Sequence, residues 1–458
     1  MTDDYLIQKK PFYALFIFSL PMIVGNLFQQ TYTMADSAIA GRFVGEHALA
    51  AIGASYSLTN IFICVAIGGG IGASVIISQY FGAKRYEKMK AAISTALFSF
   101  LVISILLGAA GLLLSRRIMI ALNTPADTLD LAVEYLNIYF IGLPFLFMYN
   151  VLSSIFNALG KSRIPLAFLI FSSLFNIALD WIAVTELRMG IAGVAWATLI
   201  AQGISAFLSF LVLMLQLKKI GTPVGPRFVR EELLPMTKIA LPSILQQSTV
   251  SIGMMLVQSV VNGFGSEALA GFSAAMRVES MCVVPMGAVG NALSSYTAQN
   301  IGADKKDRVV SGYHVSNWMV VGYAVLICAA LELFHGPIIE LFLGENGTAA
   351  ALDTGNRYLT FMGWFFCLIG FKMAVDGLLR GAGDMTMFTI ANLVNLGIRV
   401  VLAMALAPRF GIAVVWYAVP IGWSVNWAIS YAQYRTGKWR VPLSQGPCHF
   451  HCIHSLLF

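Results

Sequence analysis

The chain repeats a short stretch of sequence: Ser78-Gln79-Tyr80-Phe81-Gly82-Ala83-Lys84-Arg85 in the first half returns as Ala298-Gln299-Asn300-Ile301-Gly302-Ala303-Asp304-Lys305 in the second. The match extends in both directions along the chain. Ser19-Leu20-Pro21 corresponds to Ala240-Leu241-Pro242, and Gly160-Lys161 corresponds to Gly383-Asp384. The chain is therefore a duplication, and internal repeats of this length are how many secondary transporters build two halves around a central pathway.

The composition indicates which solvent surrounds the chain. With 58% hydrophobic and 11% charged residues and a mean hydropathy of +0.78, it could not cover itself with a polar surface in water. Apolar runs of about 20 residues or more are long enough to cross a hydrocarbon core of about 30 Å. They lie at 13–39, 50–80, 91–114, 128–155, 164–185, 190–217, 238–262, 268–300, 309–333, 354–380, 386–407 and 411–434.

These runs predict an all-α integral membrane protein with twelve transmembrane helices in two pseudo-symmetric six-helix lobes. Six spans is an even number, so both halves enter the bilayer in the same orientation and form parallel repeats. We expect residues 1–217 to form the N-lobe, 218–237 the polar linker between lobes, and 238–440 the C-lobe. Residues 441–458 contain Cys and His of the kind that bind zinc. Because nothing nearby supplies a scaffold, we expect this tail to be disordered.

The distribution of basic residues predicts the orientation in the membrane. Of the 29 Lys and Arg residues, 20 lie on the side of the N-terminus and 6 in the loops of the opposite side. Cytoplasmic loops carry such an excess, so we expect a multi-pass protein of the plasma or inner membrane with both termini in the cytoplasm. The net charge of +7 follows from this bias. Because the basic residues are scattered one loop at a time, binding to nucleic acid is not expected.

In the first half, Asp36 lies inside predicted span 1 and Asp180 inside predicted span 5. Each costs at least about 2.5 to 3.5 kcal/mol to insert, which makes it a functional hypothesis. Asn176 lies four residues before Asp180 and therefore on the same helix face. Further oxygen-bearing side chains in the same half are Asn157, Tyr139 and Thr198.

Such a cluster could hold protons, because desolvation and like charge both favour the neutral acid. It could equally coordinate Na⁺ through its oxygen atoms. We therefore predict H⁺ or Na⁺ as the coupling ion, with no other cofactor and no metal beyond a Na⁺ at Asp36 and Asp180. The alternative is that the two acids only form hydrogen bonds to neighbouring helices.

Candidate substrate contacts combine amide groups with a flexible apolar side chain: Gln29, Gln30, Met34 and Gln202. The first half differs from the second in its charges. Position 36 corresponds to Val257, and the pair Asn176 and Asp180 corresponds to Asn395 and Arg399.

The second half has its own intramembrane charges. We expect Glu279 and Arg399 either to pair with each other or to line their side of the pathway. Asp376 lies four residues before Arg380, and this spacing predicts an ion pair along one helix.

Taken together, the motifs resemble those of the multidrug and toxic compound extrusion (MATE) family, in its prokaryotic, N-lobe-coupled branch. The residues that carry the resemblance are Leu20-Pro21, Asp36, Gly41-Arg42-Phe43-Val44-Gly45, Ala48-Leu49-Ala50-Ala51, Ser78-Gln79-Tyr80-Phe81-Gly82-Ala83 and Leu378-Leu379-Arg380-Gly381-Ala382-Gly383-Asp384. The resemblance implies a V-shaped cavity between two six-helix lobes that opens alternately to each side. It also implies export of organic, mainly cationic compounds by antiport against H⁺ or Na⁺.

The resemblance carries over residue by residue to an ion-coupling site in the N-lobe, formed by Asp36, Asp180, Asn176, Asn157, Tyr139 and Thr198. The alternative function is a flippase for a lipid-linked cell-envelope precursor. A flippase calls for cationic residues around the cavity to hold a pyrophosphate, whereas this N-lobe offers carboxylates. An enzyme is not expected, because no His lies within 20 residues of Asp180. We expect a monomer whose partners are small organic cations and the lipid bilayer.

Overall fold

The computed structural model describes residues 4–221, 228–344 and 347–440, and these residues are almost entirely helical. Their helices are α1 (Tyr5–Gln8), α2 (Pro11–Ile39), α3 (Glu46–Gly82), α4 (Tyr86–Ala121), α5 (Ala126–Ala158), α6 (Arg163–Trp181), α7 (Gly190–Lys219), α8 (Arg230–Asn262), α9 (Ser266–Gly302), α10 (Lys306–Leu343), α11 (Ala349–Gly363), α12 (Phe366–Ala382), α13 (Met385–Phe410) and α14 (Ala413–Thr436). Two π-helical turns, Ala40–Val44 and Ile182–Glu186, extend α2 and α6.

Twelve long helical segments cross the bundle. Among the described residues, ten helices are individually long and apolar enough to span a membrane, and the bent pair α11 and α12 forms an eleventh span. The twelfth is α14, 24 residues long, which packs against α12 and α13. The prediction of an all-α membrane protein with twelve helices in two lobes is confirmed.

The duplication is visible in which helices touch. In the first lobe α3 packs on α5, α5 on α7, and α2 on α6; in the second α9 packs on α12, α12 on α14, and α8 on α13. Between the lobes α3 contacts α8, α2 contacts α9, and α3 crosses α9. Each contact has a counterpart in the other repeat, so α3 and α9 lie next to the pseudo-twofold axis.

Large aliphatic side chains cover the outside of the bundle. Leu113 and Leu341 are each 82% exposed, and Leu333 is 73% exposed. In contrast, small and polar residues such as Ser205 and Ser243 are fully buried between helices. In a bilayer the lipid is as apolar as leucine, and small residues allow helices to approach closely. The exposed leucines therefore mark the lipid-facing surface.

Both described ends of the chain lie on the same side of the bundle, which we call the terminus side. Here the short helix α1 contacts both lobes. The Tyr5 hydroxyl donates to the carbonyl of Gly160 at 2.9 Å, and the Asn300 amide donates to the carbonyl of Leu6 at 3.2 Å. The terminus side thus carries contacts that join the first repeat to the second.

The structure differs from the predicted spans at one place. The sequence predicts one span over 354–380, but α11 and α12 meet at an angle of 55°. At the bend the main-chain N–H groups of Phe365 and Leu368 bond to carbonyls three residues back, both at 2.9 Å, which tightens the turn. The corresponding helix of the first lobe, α5, is continuous.

The linker between lobes is shorter than the predicted 218–237. Helix α7 ends at Lys219 and α8 begins at Arg230, so residues 230–237 form the first turns of α8. Residues 222–227 lie outside the described residues, as does the predicted tail 441–458 with its Cys and His cluster.

Candidate functional site

Three helices of the first lobe share a chain of hydrogen bonds. The Tyr32 hydroxyl on α2 donates to the side-chain oxygen of Asn176 on α6. The Asn176 amide donates to the hydroxyl of Thr198 on α7 at 3.5 Å, and Thr198 donates to the carbonyl of Val194 at 3.0 Å. The structure thus brings together Asn176 and Thr198. Sequence reasoning missed Tyr32, although its position four residues before Asp36 was a usable signal.

The two acidic positions lie one helical turn beyond this chain. Asp180 follows Asn176 by four residues on α6 and is fully buried. Asp36 follows Tyr32 by four residues on α2, and its side chain is outside the described part of the structure. Helices α2 and α6 run in the same direction, so both positions are about 6 Å further along their helices. The backbone therefore places the two acids at a similar depth in the bundle.

A small cavity between α5 and α7 adjoins the same cluster. Tyr139, Thr198 and Gln202 are among the residues that line its volume of about 30 Å³. The Tyr139 hydroxyl donates to the carbonyl of Thr59 on α3 at 3.1 Å. A volume of this size holds about one water molecule. Tyr139, Thr198 and Gln202, all predicted site residues, thus line one small cavity whose remaining lining is mostly apolar.

Asn157 lies apart from the cluster. It occupies the penultimate position of α5, at the terminus side, where it lines a cavity between the lobes. Asn176 is 13 residues into α6, about 20 Å away from that side along the helix axis. The sequence places both residues in one lobe, but the depths of their helices separate them.

The two helices that carry Asp36 and Asp180 each continue into a π-helical turn. These turns are Ala40–Val44 after Asp36 and Ile182–Glu186 after Asp180. The rings of Phe43 and Trp181 meet edge to face there, with centroids 5.1 Å apart. Turns of this kind are rare and occur frequently at functional sites, because the widened helix frees main-chain groups. The two acidic helices are therefore irregular at the same level and touch there.

The predicted substrate contacts on α2 face two environments. Gln29 and Met34 are exposed, and Gln30 is half-buried. The Gln30 amide donates to the Ser280 hydroxyl on α9, in the opposite lobe, at 3.3 Å. The polar face of α2 thus reaches across the gap between the lobes.

A central cavity of about 260 Å³ lies between the lobes toward the terminus side. Both lobes contribute amides and hydroxyls to it, namely Asn26, Asn150, Ser154 and Asn157 from the first, and Asn291 and Ser295 from the second. It combines a polar lining with apolar side chains such as Ile67 and Val75. Such a surface suits an organic molecule with a few polar groups.

Below this cavity the repeated motif closes the terminus side by meeting its own copy. A Cβ atom on Gly82 would lie 2.0 Å from the main-chain oxygen of Gln299, and one on Gly302 would lie 2.0 Å from that of Gln79. Only glycine permits an approach of this kind. The repeated Gln-x-x-Gly therefore forms a symmetric crossing of α3 and α9.

The two intramembrane charges predicted for the second lobe, Glu279 and Arg399, make different direct contacts. Glu279 accepts a hydrogen bond from the Tyr358 hydroxyl. Arg399 lines a small cavity with Gln246 and Asn395. No ion pair joins Glu279 to Arg399 among the residues that the structure describes. The positive charge of Arg399 still attracts the carboxylate of Glu279 from beyond ion-pair distance.

Asp376 does not pair with Arg380 as its spacing predicted. Its carboxylate is 3.1 Å from the ammonium of Lys372, one turn earlier on α12. It also accepts hydrogen bonds from Ser430 at 2.9 Å and from Asn392 at 3.4 Å. Lys372 and Arg380 are both four residues from Asp376, so spacing alone could not choose between them. The packing of α12 against α13 and α14 decides for Lys372.

Within residues 4–221, 228–344 and 347–440, no group of three His, Cys, Asp or Glu side chains could hold a metal ion. The oxygen atoms that the N-lobe cluster offers come from amide, hydroxyl and carboxylate groups. Such oxygen donors suit H⁺ or a hard cation such as Na⁺ better than a transition metal.

Comparison with known proteins agrees with this architecture. The family model described as MatE matches residues 21–182 and 242–405, one match in each repeat. The chain is 31% identical to the probable multidrug resistance protein YpnP of Bacillus subtilis, covering 93% of this chain and 95% of that protein. It is 28% identical to the probable multidrug resistance protein YoeA of the same organism, over 92% of this chain and 93% of that protein.

Among solved structures, the fold matches an outward-facing conformation of a multidrug resistance MATE family transporter. The TM-score is 0.86 at 23% identity, with 95% of this chain and 98% of that chain covered. The comparisons give no support to a flippase. The duplicated twelve-helix fold, the match in both repeats and the relatives along nearly the whole chain lead to one conclusion: this protein belongs to the MATE family of multidrug efflux transporters.

Proposed function

We propose that the protein exports organic, mainly cationic compounds across the plasma or inner membrane by antiport against H⁺ or Na⁺. It works as a monomer, and the terminus side faces the cytoplasm. The observation that carries this proposal is the polar chain from Tyr32 through Asn176 to Thr198, with fully buried Asp180 one turn beyond it. The names of the relatives, which describe multidrug resistance, support a chemically varied cargo.

The coupling ion acts in the first lobe. When Asp36 and Asp180 are deprotonated, their negative charge favours an organic cation in the pathway. H⁺ or Na⁺ from outside then neutralises the acids, and α2 shifts because its bonds to α6 respond to the charge. An ion can drive this step only through its different affinities for the two states.

Alternating access uses the crossing of α3 and α9. In the state described here the crossing closes the terminus side beneath the central cavity. Opening toward the cytoplasm requires Gln79 and Gln299 to separate from the opposite lobe. The cargo enters the cavity in that state and extends along α2, where Gln29, Gln30 and Met34 supply polar and apolar contacts beyond the cavity, whereas Gln202 lines the small cavity between α5 and α7.

The test is transport of a fluorescent organic cation into inverted vesicles, with a pH gradient and a Na⁺ gradient imposed separately. We expect one gradient to drive uptake, and Asp36→Asn and Asp180→Asn to lose the gradient-driven part by about tenfold or more. Asp130→Asn is the matched control, because Asp130 is 80% exposed and pairs with Arg116 at the surface. Full gradient-driven uptake by both acidic-site variants would contradict the proposal.

A further inference from the structure

One arginine reaches the central cavity from the last turn of α12. Arg380 is only 7% exposed and lines the cavity together with Asn291 of α9. Its Nη2 atom donates to the side-chain oxygen of Asn291 at 2.6 Å. Its Nε atom is buried and has no hydrogen-bond partner among the described residues. A guanidinium carries five N–H donors in a planar fork, so Arg380 retains donor capacity for a ligand.

The surroundings compensate the positive charge of Arg380 only in part. Within the described ranges no carboxylate forms an ion pair with it, and no Asp or Glu lines the cavity. The carboxylate of Asp376, one turn earlier, attracts Arg380 from beyond ion-pair distance, but it directly contacts Lys372 and Ser430. Two cations therefore share one carboxylate. A buried charge that is only partly compensated is unfavourable. The cavity is therefore electrostatically prepared for a negatively charged group.

Equivalent positions of the two repeats line the central cavity. Gly160 corresponds to Gly383, so Arg380 occupies the position that Asn157 holds in the first repeat. Both residues line the same cavity, one from each lobe. Asn157 presents a buried side-chain oxygen without a hydrogen-bond partner among the described residues. Equivalent positions thus face each other across the pseudo-axis, and only the second lobe has placed a charge there.

The size of the cavity limits what it can hold. Its volume of about 260 Å³ is below the roughly 300–1,000 Å³ that a drug-sized ligand needs. One end of a larger molecule fits, while the remainder extends along α2. Asn26 lines the cavity, and Gln30 lies one turn further on α2, so the polar face of that helix continues from the cavity toward the proposed substrate contacts.

We propose that the central cavity binds the anionic group of an exported organic compound, a carboxylate or a phosphate ester, against the guanidinium of Arg380. This inference rests on the proposed export function and narrows its cargo to compounds that carry an anionic group beside their positive charge. Arg380 provides the charge and the planar donor pair that suit a carboxylate or phosphate. Asn291 orients the guanidinium, and the serine hydroxyls of α5 and α9 can donate to the same anion.

The test uses two xanthene dyes with the same chromophore, a cationic methyl ester and its free carboxylic acid. Binding to the purified full-length protein in detergent is measured by fluorescence polarisation. Arg380→Gln should weaken binding of the acid about tenfold to a hundredfold, the usual value of a hydrogen bond to a charged group, and change binding of the ester less than about twofold. Arg380→Lys keeps the charge without the fork and should fall between.

A second variant addresses the case in which Arg380→Gln does not fold. Asn291→Asp places a carboxylate against Arg380 at the observed contact, which gives the guanidinium a direct counter-charge within the protein. This variant should weaken binding of the acid as strongly as Arg380→Gln does, and it should leave binding of the ester unchanged. Arg357→Gln makes the same change of charge at an exposed site paired with Asp353, and should alter neither.

The outcomes separate the inference from the function on which it rests. If the wild type transports neither dye into inverted vesicles under either gradient, the proposed export of such compounds fails. If the dyes are transported but Arg380→Gln and Asn291→Asp change binding of acid and ester equally, or not at all, the anion site is wrong and the cavity holds only water. Selective loss of the acid in either variant supports the site.

Discussion

Gln299 of the second lobe donates a 2.7 Å hydrogen bond to the carbonyl of Ala158 in the first lobe, and Gln79 makes the equivalent contact to Gly381 at 3.3 Å. The two pairs are related by the duplication. Both glutamines are fully buried. Each amide reaches the last turn of a helix, α5 or α12, where carbonyl groups lack partners within their own helix. The two contacts tie the lobes together on the terminus side.

Gln79→Ala and Gln299→Ala should each weaken this closure. A hydrogen bond between neutral groups contributes about 1 kcal/mol net, so the closed state should become about fivefold less populated relative to the open state. The measurement is the rate at which a membrane-impermeant maleimide, applied from the terminus side, labels a single cysteine at Ser295 in the central cavity. Both rates should rise, and the double variant should show about the product of the two effects.

Gln258→Ala is the control for this experiment, because Gln258 bonds only to Asn262 of its own helix among the contacts described. Unchanged labelling in both single variants and in the double variant would show that the glutamines do not hold the lobes closed.

Gly82→Val should block closure altogether. The added side chain would begin 2.0 Å from the main-chain oxygen of Gln299, and a main-chain atom cannot move aside as a flexible side chain can. We expect dye export to fall at least about tenfold, because the transport cycle requires both states. Gly53→Val is the matched control on the same helix, where an added Cβ meets nothing within 4 Å. Normal export by Gly82→Val would mean that α3 and α9 need not cross this closely.

Tyr32→Phe should uncouple transport from the ion gradient while leaving cargo binding intact. The substitution removes the hydroxyl that donates to Asn176 but keeps the ring, so the hydrogen bond that connects α2 to α6 is lost. Loss of this hydrogen bond, worth about 1.4 kcal/mol, should lower gradient-driven uptake into inverted vesicles about tenfold. The affinity for the dye should change little. Tyr56→Phe, at a tyrosine that is 63% exposed, should behave as wild type. Equal losses of binding and uptake would assign Tyr32 to the cargo instead.

The single variant Lys372→Met should destabilise the second lobe. The double variant, which combines Lys372→Met with Asp376→Leu, should destabilise it less. Lys372 and Asp376 are 8% and 4% exposed, so removing one partner leaves a buried charge at a cost of about 3–5 kcal/mol, which removing both avoids. The measurement is the thermal unfolding midpoint in detergent, followed by tryptophan fluorescence. A double variant as unstable as the single one would show that Asp376 is held mainly by Ser430 and Asn392.

Much of the architecture could be predicted from the chain alone. Hydropathy located the spans because a bilayer requires long apolar helices whatever their partners. The repeated Gln-x-x-Gly placed Gln79 and Gln299 at equivalent positions. The bend between α11 and α12 could not be predicted in this way. Gly363 lies at the bend, but the first repeat carries Gly142 and Pro144 at the corresponding level of α5, and that helix is continuous.

The candidate site was predicted less completely. Spacing predicts that Asn176 and Asp180 share a helix face, because they lie four residues apart. Spacing could not show that Tyr32 would bond to Asn176, or that Asn157 would lie in the central cavity. Those relationships depend on the depth and rotation of separate helices.

The sequence by itself determined a duplicated membrane transporter scaffold and the residues that could carry charge within it. The tertiary structure alone decided which of those residues meet. Asp376 could reach Lys372 or Arg380 with equal spacing, and the packing of α12 directs it to Lys372. Arg380 is thereby left to the central cavity, opposite Asn157 of the other repeat. The physical reason is that hydropathy specifies only that a helix crosses the bilayer, whereas its rotation and depth are set by contacts with helices far away in the chain.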